Sequence, residues 1–84
     1  MIRKSVTVNN PSGLHLRPAA KLSETALQFE SRIALEHGNV SANAKSVLSI
    51  LGACVRNGDT VQLTFDGPDE ERAAEAVLSV LEEF

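Results

Sequence analysis

With 84 residues, 43% of them apolar, the chain holds enough material for one small globular domain, residues 1–84, and not for two. A formal charge of −3 argues against nucleic acid as a partner, because phosphate backbones are met by basic surfaces. No stretch has the length and apolarity for membrane insertion, Arg3 and Lys4 precede no signal-peptide-like run, and a lone Cys54 cannot form an internal disulfide, so a cytoplasmic protein is expected.

Ile2 to Val8 alternate, with Ile2, Lys4, Val6 and Val8 on one side, as in a half-buried strand. Asn9-Asn10-Pro11-Ser12-Gly13 is a cluster of turn formers and breaks it. From Leu16 to about Phe29, apolar residues recur at three- and four-residue steps (Ala19, Leu22, Ala26, Phe29), which predicts a helix with one buried face. Pro18 is compatible with that helix because the first turn has no internal use for its N–H groups. Arg32 to Glu36 and Val40 to Ala42 form a predicted hairpin about His37-Gly38-Asn39, which leaves His37 exposed. Ser46 caps a short helix carrying Val47, Leu48, Ile50, Leu51 and Cys54, with Ile50 and Cys54 assigned to the core. After the turn Asn57-Gly58-Asp59, Thr60 to Phe65 alternates with Val61, Leu63 and Phe65 inward. A last helix opens at Asp66-Gly67-Pro68-Asp69 and carries the stripe Ala73, Val77, Leu78, Leu81 and Phe84, with a solvated acidic start at 69 to 71 that suits the helix dipole. The order strand, helix, strand, strand, helix, strand, helix predicts an α+β fold, an antiparallel sheet with helices on one face.

The segment Ser12-Gly13-Leu14-His15-Leu16-Arg17-Pro18 sets a histidine at the mouth of the first helix. Free N–H groups at a helix start attract anions, and Arg17 adds a planar, permanently charged fork that matches phosphate oxygens. Pro18 has no N–H, so Leu16 and Arg17 are the expected backbone donors. Neutral imidazole is a nucleophile near neutral pH, and the nitrogen–phosphorus bond it forms is reactive enough to pass the group on. A partial cap or a surface side chain is the plainer alternative for His15. No metal-ligand cluster, nucleotide loop or nucleophile–base–acid arrangement stands out, so neither a metal nor a cofactor is expected.

Gly13-Leu14-His15-Leu16-Arg17-Pro18-Ala19 resembles the active-site signature of the HPr family, the histidine-containing phosphocarriers of the bacterial phosphotransferase system. Ala42-Asn43-Ala44-Lys45-Ser46-Val47-Leu48 resembles the regulatory-serine segment of that family, and the resemblance spans the chain. It implies an open-faced sandwich of four antiparallel strands backed by three helices. It further implies that enzyme I phosphorylates His15 on Nδ1, that Arg17 assists, and that the group passes to an enzyme IIA-type acceptor. Such a chain is a stoichiometric carrier rather than a self-contained enzyme, and a monomer. Ser46 is implied as a target of an HPr kinase, the alternative being a simple helix cap.

Val47, Leu48 and Leu51, with Leu16 beside them, are the expected partner-docking residues, since a helix this short cannot bury every apolar side chain. Two departures concern partner choice: Leu16 is bulkier than the family's usual short residue, and Glu24 and Leu27 stand on a helix face that often carries lysines. They leave open a regulatory or nitrogen-related role, in which Ser46 would control docking on a transcriptional regulator or enzyme, beside the sugar-system carrier. An independent histidine-nucleophile hydrolase is the weakest alternative, for want of a general base.

Overall fold

The computed structural model describes the whole chain, Met1–Phe84. Its elements are β1 (Ile2–Thr7), α1 (Leu16–Ala26), β2 (Arg32–His37), β3 (Val40–Asn43), α2 (Val47–Gly52), β4 (Thr60–Asp66) and α3 (Glu70–Glu83). All strand pairs are antiparallel, in the spatial order β1-β4-β2-β3.

Alternation drives the layering. Phe65 pairs with Ile2 on one side and Ile33 on the other, and Leu63 pairs with Lys4 and Leu35. Val61, Leu63, Phe65, Ile33, Leu35 and Ala42 are thereby turned to one face and buried. Ala19, Leu22 and Ala26 of α1, Ile50 of α2, and Ala73, Ala74 and Val77 of α3 close over that face and join the same cluster. The polar face of the sheet stays open, so the fold is a two-layer α+β sandwich with three helices on one side.

Four local expectations are corrected. α1 ends at Ala26 instead of reaching Phe29, because the chain tightens there: Gln28 and Phe29 donate to Thr25 and Ala26, three residues back. Cys54 is exposed rather than buried, since α2 ends at Gly52 and the chain then turns through a left-handed residue, Cys54 at φ 53°, which swings the thiol outward. His37 belongs to β2 and is half-buried, its Nδ1 lying 2.8 Å from the carbonyl of Ala53 and its Nε2 3.0 Å from Asp59. The acidic start of α3 is not simply solvated. Asp69 accepts the N–H of Glu30 at 2.9 Å and that of Ser31 at 3.0 Å, and so fastens the end of the α1–β2 connection to the head of α3. The Ser31 hydroxyl, followed by the Glu30 N–H, holds the Asp69 carboxyl down to about 2.

Candidate functional site

The segment leading to His15 is built on the loop that follows α2. The Gly13 N–H donates to the Asn10 carbonyl at 2.8 Å, and the Leu14 N–H donates to the Val55 carbonyl at 3.0 Å. Gly13 sits at φ 64°, a conformation that costs glycine little. Leu14 is buried and anchors the segment in the core. Anchoring on both sides leaves His15 at the surface as the N-cap of α1, with extended backbone (φ −81°, ψ −170°).

The His15 ring caps the helix itself. Its Nδ1 accepts the N–H of Arg17 over a long 3.4 Å contact, which places the ring lone pair on Nδ1 and the ring proton on Nε2. The Leu16 N–H, at the first helical position, has no acceptor within the helix. No acidic residue stands in the first turn of α1, so nothing there opposes an anion, whereas the first turn of α3 holds Glu70 and Glu71. Arg17 is exposed, and its guanidinium carbon lies 5.8 Å from the ring centroid of Phe84. His15 lines no cavity; the nearest groove involves Arg17, Ala20, Lys21, Glu24, Glu83 and Phe84. The ring is therefore open to a large partner and encloses no small substrate.

Ser46 is the N-cap of α2, its hydroxyl accepting the Ser49 N–H at 3.2 Å. The approach to it is fixed by Lys45, whose N–H donates to Asn43, whose carbonyl accepts from Ser23 of α1, and whose ammonium donates to the Phe29 carbonyl. α1 and α2 pack on each other. Leu16 on α1 and Leu48 on α2 stay 64% and 81% exposed, large values for leucine. Val47 and Leu51 are half-buried against the core, so the exposed apolar surface of these two helices centres on Leu16 and Leu48. No group of three His, Cys, Asp or Glu residues is arranged to hold a metal ion, and no helix is long and apolar enough to cross a membrane.

A family model described as the PTS HPr component phosphorylation site matches residues 2–83. The chain belongs to the HPr family. It is 35% identical over 81 residues to the phosphocarrier protein HPr of Cupriavidus necator, covering 96% of this chain and 91% of that one. It is also 35% identical over 82 residues to the HPr-like protein Crh of Halalkalibacterium halodurans, covering 98% of each. The solved structure of an HPr from Thermoanaerobacter tengcongensis superposes with a TM-score of 0.94 at 38% identity, covering 99% of this chain and 93% of that one. The kinship is thus shared by proteins named as phosphocarriers and by the HPr-like protein Crh.

Three contributors to the neighbourhood of the motif escape a reading of the motif alone. The Val55 carbonyl and the Phe84 ring are distant in sequence and carry no chemistry that composition could flag. Asn10, which holds the turn by accepting the Ser12 N–H on its side chain at 3.2 Å and the Gly13 N–H on its carbonyl, was signalled by its place in the Asn9-to-Gly13 turn cluster.

Proposed function

We propose that this chain carries a phosphoryl group on His15, taking it from enzyme I and handing it to an enzyme IIA-type acceptor. The observation that carries this reading is the hydrogen bond from the Arg17 N–H to His15 Nδ1, which leaves the lone pair of an exposed imidazole at the first turn of a helix. In the first step that lone pair forms the nitrogen–phosphorus bond while the bond from phosphorus to the donor breaks, the electron pair leaving with the donor. The Nε2 proton stays in place. The Arg17 N–H then has a phosphate oxygen to serve in place of the nitrogen, the Leu16 N–H is free to do the same, and the helix dipole favours the charge. The Arg17 guanidinium supplies further donors. The second step reverses the first: the acceptor's nucleophile bonds to phosphorus and the electron pair returns to Nδ1.

An open site suits this exchange. A cage of donors would trap the phosphate, whereas N–H groups on one side leave the other side free for an in-line partner. Leu16 and Leu48, with the exposed parts of Val47 and Leu51, provide the apolar surface on which successive partners dock. The carrier acts as a cytoplasmic monomer that offers one face to each partner in turn. Incubation with enzyme I and phosphoenolpyruvate adds one acid-labile phosphate, seen by phosphorus NMR as a phosphohistidine. A His15→Ala chain that accepts phosphate equally well would sink the reading.

A second, regulatory reading is favoured by the likeness to Crh and by the half-exposed Ser46 hydroxyl at the head of α2. Phosphorylation there by an HPr kinase would add charge beside Leu48 and alter docking on enzyme I or a transcriptional regulator. The two readings are compatible, because His15 and Ser46 cap different helices. Unchanged affinity for every partner in a Ser46→Asp chain would remove the second.

A further inference from the structure

Arg17 is unusual among the charged groups around His15 in what it touches. Its guanidinium makes no hydrogen bond and no ion pair, although Glu24 and Glu83 line the same groove. Its contact is the ring of Phe84, 5.8 Å away. Phe84 is half-buried and directly follows α3, a helix that packs against α1. The ring is half-buried while the arginine is exposed.

The difference between a ring and a carboxylate matters here. A carboxylate would occupy two N–H groups of the guanidinium in a bidentate pair, and a phosphate would have to displace it. An aromatic ring attracts the cation through its quadrupole and needs none of the five N–H donors. A ring contact of this kind favours one arrangement of the arginine and leaves its donors unspent. Ordering a long side chain in advance lowers the entropic cost of each hydrogen bond it later makes.

We propose that Phe84 is a positioning residue that holds the Arg17 guanidinium ready for the phosphoryl group on His15. This rests on the reading of His15 as the phosphorylated residue. Without the ring, Arg17 samples many orientations, grips the phosphate less of the time, and leaves phosphorus more open to water. Hydrolysis then breaks the nitrogen–phosphorus bond, water supplies the oxygen of the released inorganic phosphate, and the electron pair returns to Nδ1.

The test has two arms. In the unphosphorylated protein, the Arg17 side-chain protons are shifted by the ring current of Phe84; Phe84→Leu abolishes that shift, and Phe84→Trp keeps it. In the phosphorylated protein, Phe84→Leu shortens the phosphohistidine lifetime at neutral pH by about two- to five-fold, the range expected of an exposed cation–ring contact. Phe84→Trp restores the lifetime, and Phe84→Leu adds nothing in an Arg17→Met background. An unchanged lifetime in Phe84→Leu, or the same shortening in the Arg17→Met background, overturns the proposal while leaving the carrier reading intact. Failure of the unaltered chain to accept phosphate overturns both.

Discussion

Gly13 lies against the carbonyl of Val55 so closely that a Cβ on it would stand 2.3 Å from that oxygen and 2.8 Å from the Cα of Arg56. The same carbonyl accepts the Leu14 N–H, so the strip of chain before His15 is laid directly on the loop after α2. That contact requires a residue without a side chain and with positive φ.

Gly13→Ala is therefore expected to destabilise the fold by about 1–3 kcal/mol from the backbone conformation alone, with the clash adding to it. It is also expected to lift His15 off its seat and to slow uptake of phosphate from enzyme I. Urea unfolding and a single-turnover phosphorylation assay check the two effects. A variant with normal stability would show that the loop yields more easily than its contacts imply.

The carboxylate of Asp69 gives a defined acid response. Its pKa is lowered from 3.8 to about 2, first by the Ser31 hydroxyl and then by the Glu30 N–H. A carboxyl depressed in the folded chain adds stability that is complete above its ordinary value and fades as pH falls from about 4 toward 2. Asp69→Asn is expected to lower the urea midpoint near neutral pH and to flatten the loss of stability in that acid window. A variant whose midpoint falls as steeply as that of the parent would place the acid response elsewhere.

Ser46→Ala removes the hydroxyl that accepts the Ser49 N–H, and a lost N-cap of this kind costs about 1 kcal/mol. Ser46→Asp keeps a capping oxygen and adds charge. Phosphate uptake on His15 in isolation from docking effects should be equal in both. If Ser46→Asp alone weakens partner binding, charge is responsible; if both do so equally, the order of α2 is.

His37 is held by Ala53 and Asp59, and the backbone of Ala53 belongs to a buried residue. His37→Ala leaves that carbonyl short of a partner and is expected to cost about 1–3 kcal/mol. Amide hydrogen exchange should quicken around residues 53 to 59, the loop that also seats Gly13 and Leu14. Exchange that quickened only within the β2–β3 hairpin would show that the bond serves the hairpin alone.

Much of this architecture is visible in local pattern. Val61, Leu63 and Phe65 alternate and are all buried; Ala19, Leu22 and Ala26 step along one helical face and are buried too. Each of these signals is carried by neighbours in sequence. Where local pattern misleads, the decisive feature is a remote partner or a single backbone turn. His37 looks like a turn residue until the hairpin register pairs it with Val40 and the fold brings Asp59 to its ring. Cys54 looks apolar and helical, and one left-handed residue turns it out. Asp69 looks like a dipole-matching acid, yet its oxygens reach back to Glu30 and Ser31. The candidate site is legible in the sequence as two short contiguous segments, one around His15 and Arg17 and one around Ser46, each of which the structure places at a helix start. The Phe84 ring under Arg17 is not, because nothing local links the two residues.

The strand order has a consequence for the birth of the molecule. β4 lies between β1 and β2, and Thr7 meets Thr60 from 53 positions away. A chain emerging from the ribosome can close the β2–β3 hairpin early, but its sheet has a missing middle until the last third has been made. Until then Ile33 and Leu35 have no inner neighbour in the sheet, and the Val55 seat for Gly13 has no β4 behind it. Pairing across such a span is slow compared with local closure. A fragment stopped before residue 60 lacks the central strand β4, so the four-stranded sheet and the core it shares with α1 are expected to close only once that strand has been made.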